Sequence, residues 1–452
     1  MKKYTPLLLL LCLFNGLIGY GQISFTKRIV ADNLFIPWEI IYGPDDHIWF
    51  TQKNGYICRL DPATGLTDTL YHESNTAVQG EGGMLGMAIH PGFPAQPYVY
   101  AAYEYWEDDS YKERIARYTY NDTMLISPLI LLEGIQGSVN HNGCRLLIIG
   151  DKLMITTGDA EDTDLPQDMA SKNGKILRIN LDGSIPADNP DPGSPVWSWG
   201  HRNAQGLVYH EGKLYSSEHG PGSDDEVNLI VKGRNYGWPH VRGFCDEPGE
   251  ADFCTDSAVV EPLTAWTPTV ATAGLDFYNH PMFPALQNSL LLATLKDNNL
   301  YQLKLNSSGD SVISEHVIEG IDEGRLRDIC ISPEGRIFIS TSNSPASGAG
   351  DKIDRIIELY DPSFSNLFAP GKESSQVIVY PNPSADNLHI YFLLPDYHKL
   401  RWSYLLFSAE GRELQAGIIE NNQIDIHQLN PGIYFLRGQS GDKTFFRRIV
   451  KW

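Results

Sequence analysis

The sequence predicts an all-β chain: a six-bladed β-propeller followed by a small β-sandwich. Three observations predict it. Short runs rich in β-branched and aromatic residues are separated by clusters of Gly, Pro, Asp and Asn, which is the period of strands and turns, not of helices. A degenerate unit of opening strand, turn, second strand and closing strand recurs six times. After it, residues 362–375 (PSFSNLFAPGKESS) read as a linker, and residues 376–452 form a separate unit of short strands joined by Asn-Pro, Glu-Gly and Pro-Gly turns.

The copies run in order along residues 22–361. The first is IPWEIIYGPDDHIWFTQKNGYICRL, residues 36–60. The second runs from MLGMAIHPGFPAQPYVYAAY to RIARYTY, residues 84–120. The third has GCRLLIIGDKLMITTGD and closes with GKILRINLDG. The fourth has QGLVYHEGKLYSSEHG and closes with EVNLIV. The fifth runs through AGLDFYNHPMFPALQNSLLLATL to NNLYQLKL, and the sixth from RLRDICISPEGRIFISTS to DRIIELY. No single unit buries both of its faces; a ring of them does, and it leaves a central funnel for chemistry.

Charge and cysteines set the compartment. The formal net charge is −21, which excludes nucleic acid as a natural partner. Residues 1–21 read as a signal peptide: Lys2 and Lys3, an apolar run from Leu7 to Ile18, then Gly19-Tyr20-Gly21. The run is too short to span a membrane, no later one is long enough, and Leu11 before Cys12 argues against a lipid anchor. Export without Cys12 leaves Cys58, Cys144, Cys245, Cys254 and Cys330, an odd count with at least one free thiol. Cys245 and Cys254 bracket a turn-rich loop that closes as a disulfide in an oxidising compartment.

The densest chemistry lies in residues 214–239, LYSSEHGPGSDDEVNLIVKGRNYGWP. The Gly220-Pro221-Gly222 turn exposes carbonyls beside Asp224, Asp225 and Glu226, and carbonyls with carboxylates are what a hard cation such as Ca²⁺ requires. This stretch, with PWEI (37–40), EGGMLGMAIHPGF (81–93), NHNGCRL (140–146), TTGD (156–159), GKILRINLDGSIPADNP (174–190), GHRNAQGL (200–207) and RLRDICISPEG (325–335), resembles the soluble glucose/sorbosone dehydrogenases that depend on pyrroloquinoline quinone (PQQ). The tail, with YPNP, Gly411, LNPGIYFL and Lys451, resembles the C-terminal sorting domain of type IX secretion cargo.

The resemblance implies a role for each matching residue. His141 is the general base that takes a sugar hydroxyl proton while hydride leaves C1, and Asp159 orients it. PQQ is a planar quinone with three carboxylates; Arg202, Lys296, Arg325 and Arg327 supply cations for it, and Asn203, Thr269 and Glu81 complete the cofactor and sugar contacts. Carbonyls of Gly220 and Pro221 hold the Ca²⁺ that also chelates PQQ. A second Ca²⁺ takes the side chains of Glu226 and Asp246 with carbonyls of Tyr236, Arg242 and Phe244. The chain departs from the pattern of the soluble glucose dehydrogenases at Glu81 and His219, each in place of Gln, and Trp266 stands one position before the family's stacking Trp.

The function this implies is a secreted or cell-surface aldose dehydrogenase, exported through the periplasm, with an aldose substrate, an external electron acceptor and the secretion machinery as partners. No G-x-G-x-x-G after a strand points to NAD. Two other readings compete: a non-catalytic surface propeller that binds glycan or protein, and a calcium-dependent, lactonase-like hydrolase.

Overall fold

The computed structural model describes residues 23–346, 352–362 and 364, and in the C-terminal unit residues 377–380, 384, 386–392, 397–408, 412–441 and 443–451. The signal peptide, nearly all of the linker, Gly411 and part of YPNP lie outside the described residues.

Six four-stranded antiparallel sheets follow one another along the chain. Their inner strands are Pro37–Tyr42, Met84–Ile89, Gly143–Ile149, Ala204–His210, Thr272–Tyr278 and Leu326–Ile331. Each touches the next, and the sixth touches the first, so the sheets close into a ring of the propeller type. The recurring unit therefore holds four strands, one more than the sequence pattern shows. The fourth is outermost, and in Val196–Trp199 and Thr264–Trp266 it is only four and three residues long, too short for its alternation to stand out. The last sheet takes its fourth strand from the start of the chain: Thr26–Leu34 pairs antiparallel with Asp354–Tyr360, with Ile29 opposite Ile357. That closure ties the two ends of the ring together.

Apolar residues fill the spaces between neighbouring sheets; Leu85, Tyr100 and Ile115 of the second pack against Leu146, Leu153 and Leu177 of the third. The axis is polar. Arg145 reaches Glu39 at 2.8 Å and Asp328 at 3.0 Å, and donates through Nε to the Gln205 carbonyl at 2.9 Å. These four residues come from four inner strands, so the ion network plugs the centre.

All six inner strands carry a register shift near their first residues: Pro37/Ile40, Met84/Met87, Gly143/Leu146, Ala204/Gly206, Thr272/Leu275 and Leu326/Asp328. Bulges of this kind bend a strand end and re-aim its side chains. Second strands run antiparallel to inner ones, so the starts of inner strands and the ends of second strands share one face of the ring. Glu81, His141, Arg202, Asn203, Thr269 and Arg325 precede inner strands, while Asp159, His219, Gly220 and Lys296 follow second strands. The topology alone gathers them.

The C-terminal unit has two sheets, one of Val377–Tyr380, Asn387–Phe392 and Gln423–Asp425, the other of four strands from Ser403–Ser408 to Lys443–Lys451. They share a core that includes Val377, Leu388, Phe392, Trp402, Leu406, Leu436 and Phe445. The expected disulfide joins Cys245 and Cys254. Cys58, Cys144 and Cys330 are free and buried. Among the described residues no helix is long and apolar enough to cross a membrane.

Candidate active site

The site is built on a loop of unusual backbone. His141, Gly143 and Cys144 have φ of 60°, 64° and 64°, the left-handed region that side chains rarely adopt. Four contacts hold it there. The His141 N–H donates to Glu81 Oε2 at 2.9 Å, and the Gly143 N–H to Asn203 Oδ1 at 3.1 Å. Asn142 Nδ2 donates to Glu104 Oε1 at 2.8 Å and to the Ser138 carbonyl at 2.9 Å. Beneath the loop lies Gly158, where a Cβ would stand 1.6 Å from the His141 carbonyl oxygen. The Gly of TTGD is therefore required by close approach of backbone.

The imidazole lies between opposite charges. Nδ1 is 2.7 Å from Asp159 Oδ1, and Nε2 is 2.9 Å from Arg202 Nη2. Asp159 is fully buried and also accepts from Trp238 Nε1 at 2.9 Å and the Glu161 N–H at 2.9 Å. With the carboxylate accepting the Nδ1 proton, Nε2 keeps its lone pair and accepts from Arg202. Arg202 packs over Trp238 at 5.3 Å and donates through Nη1 to the carbonyls of His219 at 3.1 Å and Gly220 at 3.0 Å. His141, the Arg202 guanidinium and the Gly220-Pro221 turn thus meet in one place.

The other expected cations lie on the same face of the ring. Arg327 is buried and donates to Gln205 at 3.0 Å; Gln205 donates to Asn203 at 2.9 Å, and Asn203 to Glu81 at 3.0 Å. Lys296 donates to Thr269 at 2.9 Å, and Arg325 to the Leu295 and Ser342 carbonyls at 3.3 and 3.1 Å. Burial weakens the guanidinium of Arg327, with Arg325 and Arg145 adding repulsion, and pushes its pKa down to about 10. Burial also works against the Glu81 charge, but His219, the His141 N–H and ring, and Arg327 outweigh it and hold the carboxyl below its usual range.

Gly220, Pro221, Glu226, Tyr236 and Arg242 line one recess with Arg202, Glu218 and Asp224. Burial and the neighbouring Glu218 push the Glu226 carboxyl up to about 8. The expected ligand set for a second Ca²⁺ is only partly gathered. Phe244 and Asp246 are exposed and do not line the recess. Among the described residues no three His, Cys, Asp or Glu side chains are placed to hold a metal, so a cation here relies on carbonyls. Carbonyl geometry depends on loop path, which residue identity does not encode.

Four residues of the site escaped the sequence reading. Trp238 links Asp159 to Arg202. Glu218 accepts from the Arg202 N–H and from His201. Gln205 relays Arg327 to Asn203. Buried Lys53 donates to the Gly80 and Ala346 carbonyls and so fixes the residue before Glu81. Trp238 was visible as the aromatic of the GRNYGWP turn; the others carried no local signal. Trp266 packs on Tyr301 at 5.9 Å and donates to Glu315, on the outer strands, and has no place in the site.

Comparison with known proteins agrees with this geometry. Residues 34–349 match the family model described as glucose/sorbosone dehydrogenase, and residues 378–452 match a secretion system C-terminal sorting domain. The chain is 32% identical over 404 residues to quinoprotein glucose dehydrogenase B of Acinetobacter calcoaceticus, covering 70% of this chain and 84% of that one. It is 28% identical over 358 residues to an aldose sugar dehydrogenase of Escherichia coli, covering 74% and 94%. The solved PQQ-bound aldose sugar dehydrogenase of Streptomyces coelicolor superposes with a TM-score of 0.65 at 32% identity, covering 75% of this chain and 98% of that one. With a matched model over most of its length and a ring whose one face gathers His141, Asp159 and Arg202, the chain belongs to the glucose/sorbosone dehydrogenase family.

Proposed function

We propose that this chain is a secreted, PQQ- and Ca²⁺-dependent dehydrogenase that oxidises the anomeric carbon of an aldose to a lactone and passes the electrons to an external acceptor. Residues 22–361 form its six-bladed catalytic propeller. Residues 1–21 direct export through the periplasm, and after the linker at 362–375 the β-sandwich of residues 376–452 addresses the chain to the secretion machinery. The observation that carries this reading is the contact of His141 with Asp159 on one side and Arg202 on the other, beside the Gly220 carbonyl.

The residues suit the cofactor. Arg202 Nε and Arg327 Nε are buried without a hydrogen-bond partner, and unsatisfied donors of this kind call for an acceptor-rich anion. Arg202, Arg325, Arg327 and Lys296 would hold the carboxylates of PQQ. Carbonyls of Gly220 and Pro221 beside Glu226 would hold Ca²⁺. When bound, the pair supplies a polarised quinone carbonyl as the hydride acceptor. The protein's own part is the proton. Asp159 fixes the Nδ1–H tautomer, Arg202 yields its place at Nε2, and the lone pair takes the proton of the anomeric hydroxyl as C1 loses hydride. Trp238 keeps both Asp159 and Arg202 in position.

Reconstitution tests this. Purified protein with PQQ and CaCl₂ should reduce a redox dye in the presence of an aldose. His141→Ala should retain the bound-quinone spectrum and lose turnover by about 10²–10⁴-fold. A wild type that binds no PQQ and oxidises no aldose refutes the proposal.

A further inference from the structure

The hairpin joining Tyr98–Glu107 to Ser110–Tyr120 outruns the strand beside it. Met84 begins the inner strand opposite Tyr103, whereas the hairpin pairs on through Glu104↔Glu113 and Trp106↔Tyr111. It therefore rises above the face that carries His141. Side chains two residues apart on a strand share a side. Glu104 and Trp106 share one, and so do Glu113 and Tyr111. That side is known from its lower step. The Glu104 carboxyl accepts from Asn142, next to His141, and the Glu113 carboxyl accepts from the Cys144 thiol at 3.1 Å. Trp106 and Tyr111 thus stand over the His141 loop, one step of about 6.8 Å higher. The Gly137 N–H donates to the Tyr111 carbonyl at 3.0 Å, which ties the hairpin to the same loop at its base.

The two rings form a fixed platform. Their centroids are 4.5 Å apart at 75°, edge to face. Trp106 is nevertheless 51% exposed. Lys112 is pinned to Glu107 and Asp108 at 3.0 and 3.1 Å, so the tip is ordered and acidic, and Asp109 is exposed beside them. An open indole face suits a pyranose ring, whose C–H groups pack on the aromatic.

We propose that Trp106 and Tyr111 form an accessory sugar subsite that takes the second unit of a reducing disaccharide while the first presents its anomeric carbon to His141. This rests on the aldose reading above and deepens it. The test compares wild type with Trp106→Ala on glucose and galactose and on maltose, cellobiose and lactose. It measures steady-state kinetics of the reconstituted enzyme and calorimetric binding to the cofactor-free protein. The variant should lose about tenfold in kcat/KM on at least one disaccharide, through KM, and change by less than about twofold on monosaccharides. Trp106→Phe should recover most of the loss. Equal effects on both sugar classes, or no effect, overturn the subsite. So does unchanged sugar binding with a change in elution volume, which would mark a surface between copies. A wild type inactive on every aldose refutes the oxidation reading instead, and calorimetry still decides the subsite: disaccharide binding weakened by Trp106→Ala upholds it, and absent or unchanged binding overturns it.

Discussion

Asp159→Asn should nearly abolish turnover while leaving the cofactor bound. Oδ1 of Asp159 accepts from His141 Nδ1 and the Glu161 N–H, and Oδ2 accepts from Trp238 Nε1. An amide offers one acceptor where three donors converge on two oxygens. If its oxygen faces His141, its NH₂ meets the indole N–H, and a buried donor is left unpaired at a cost of about 1–3 kcal/mol in stability. The imidazole then keeps its tautomer but loses the charge that stabilises the imidazolium. If its NH₂ faces His141, the ring proton moves to Nε2, points at Arg202, and the base is gone. Either arrangement should lower kcat by about 10³–10⁴-fold, as removal of the carboxylate does in other His–Asp pairs, or about 4–5.5 kcal/mol of barrier. The Asp159 side chain reaches Arg202 by hydrogen bonds only through His141 and Trp238, and the Asp159 N–H that donates to the Arg202 carbonyl at 2.8 Å is kept in the variant, so PQQ affinity should move by less than about threefold. Dye reduction with saturating sugar gives kcat; quinone absorbance on titration gives affinity. A variant within tenfold of wild-type kcat would show that His141 does not work as a base oriented by this carboxylate.

Other outcomes follow from the same packing. Burial pushes Glu104 up to about 9 and Glu113 up to about 8, with Glu113 adding repulsion at Glu104. The folded state holds these protons longer than the unfolded chain, so their contribution is complete below pH 4.5 and is lost as pH rises through 8 and 9, at about 1.4 kcal/mol per pH unit for each group. Glu104→Gln with Glu113→Gln should flatten that slope in urea unfolding between pH 6 and 9; an unchanged slope contradicts it. Lys175 is buried with its ammonium on the carbonyls of Leu165, Pro166 and Asn173 at 2.8, 2.9 and 2.7 Å. Lys175→Met should cost about 3 kcal/mol or more by stranding those carbonyls, and lower kcat because the Gly174 N–H holds Gly158 under His141. Opening the Cys245–Cys254 loop with serines should cost about 2–3 kcal/mol in chemical denaturation, from the entropy of a short closed loop.

Much of this was legible in residues alone. A strand must alternate, a turn needs Gly, Pro or Asn, and six repeats of that pattern leave few architectures other than a ring. His141 lies in the motif NHNGCRL, among polar residues and Gly rather than on an apolar face. What stayed hidden shares one cause. The short outermost strands, the N-terminal strand that closes the ring, and Gln205, Glu218 and Lys53 act through partners distant in sequence, so nothing near them in the chain marks their role.

The sequence by itself determined the period of the strands, the number of repeats, the second unit and the residue types available for acid–base and anion chemistry. Tertiary structure alone decided that Arg202 meets His141, that Trp238 joins Asp159 to that pair, that Trp266 faces outward, and that Asp246 lies outside the recess of Glu226. Local preferences fix φ, ψ and side-chain alternation within a few residues. Which groups meet across the ring depends on the order in which the sheets close and on bulges that re-aim six strand ends toward one face.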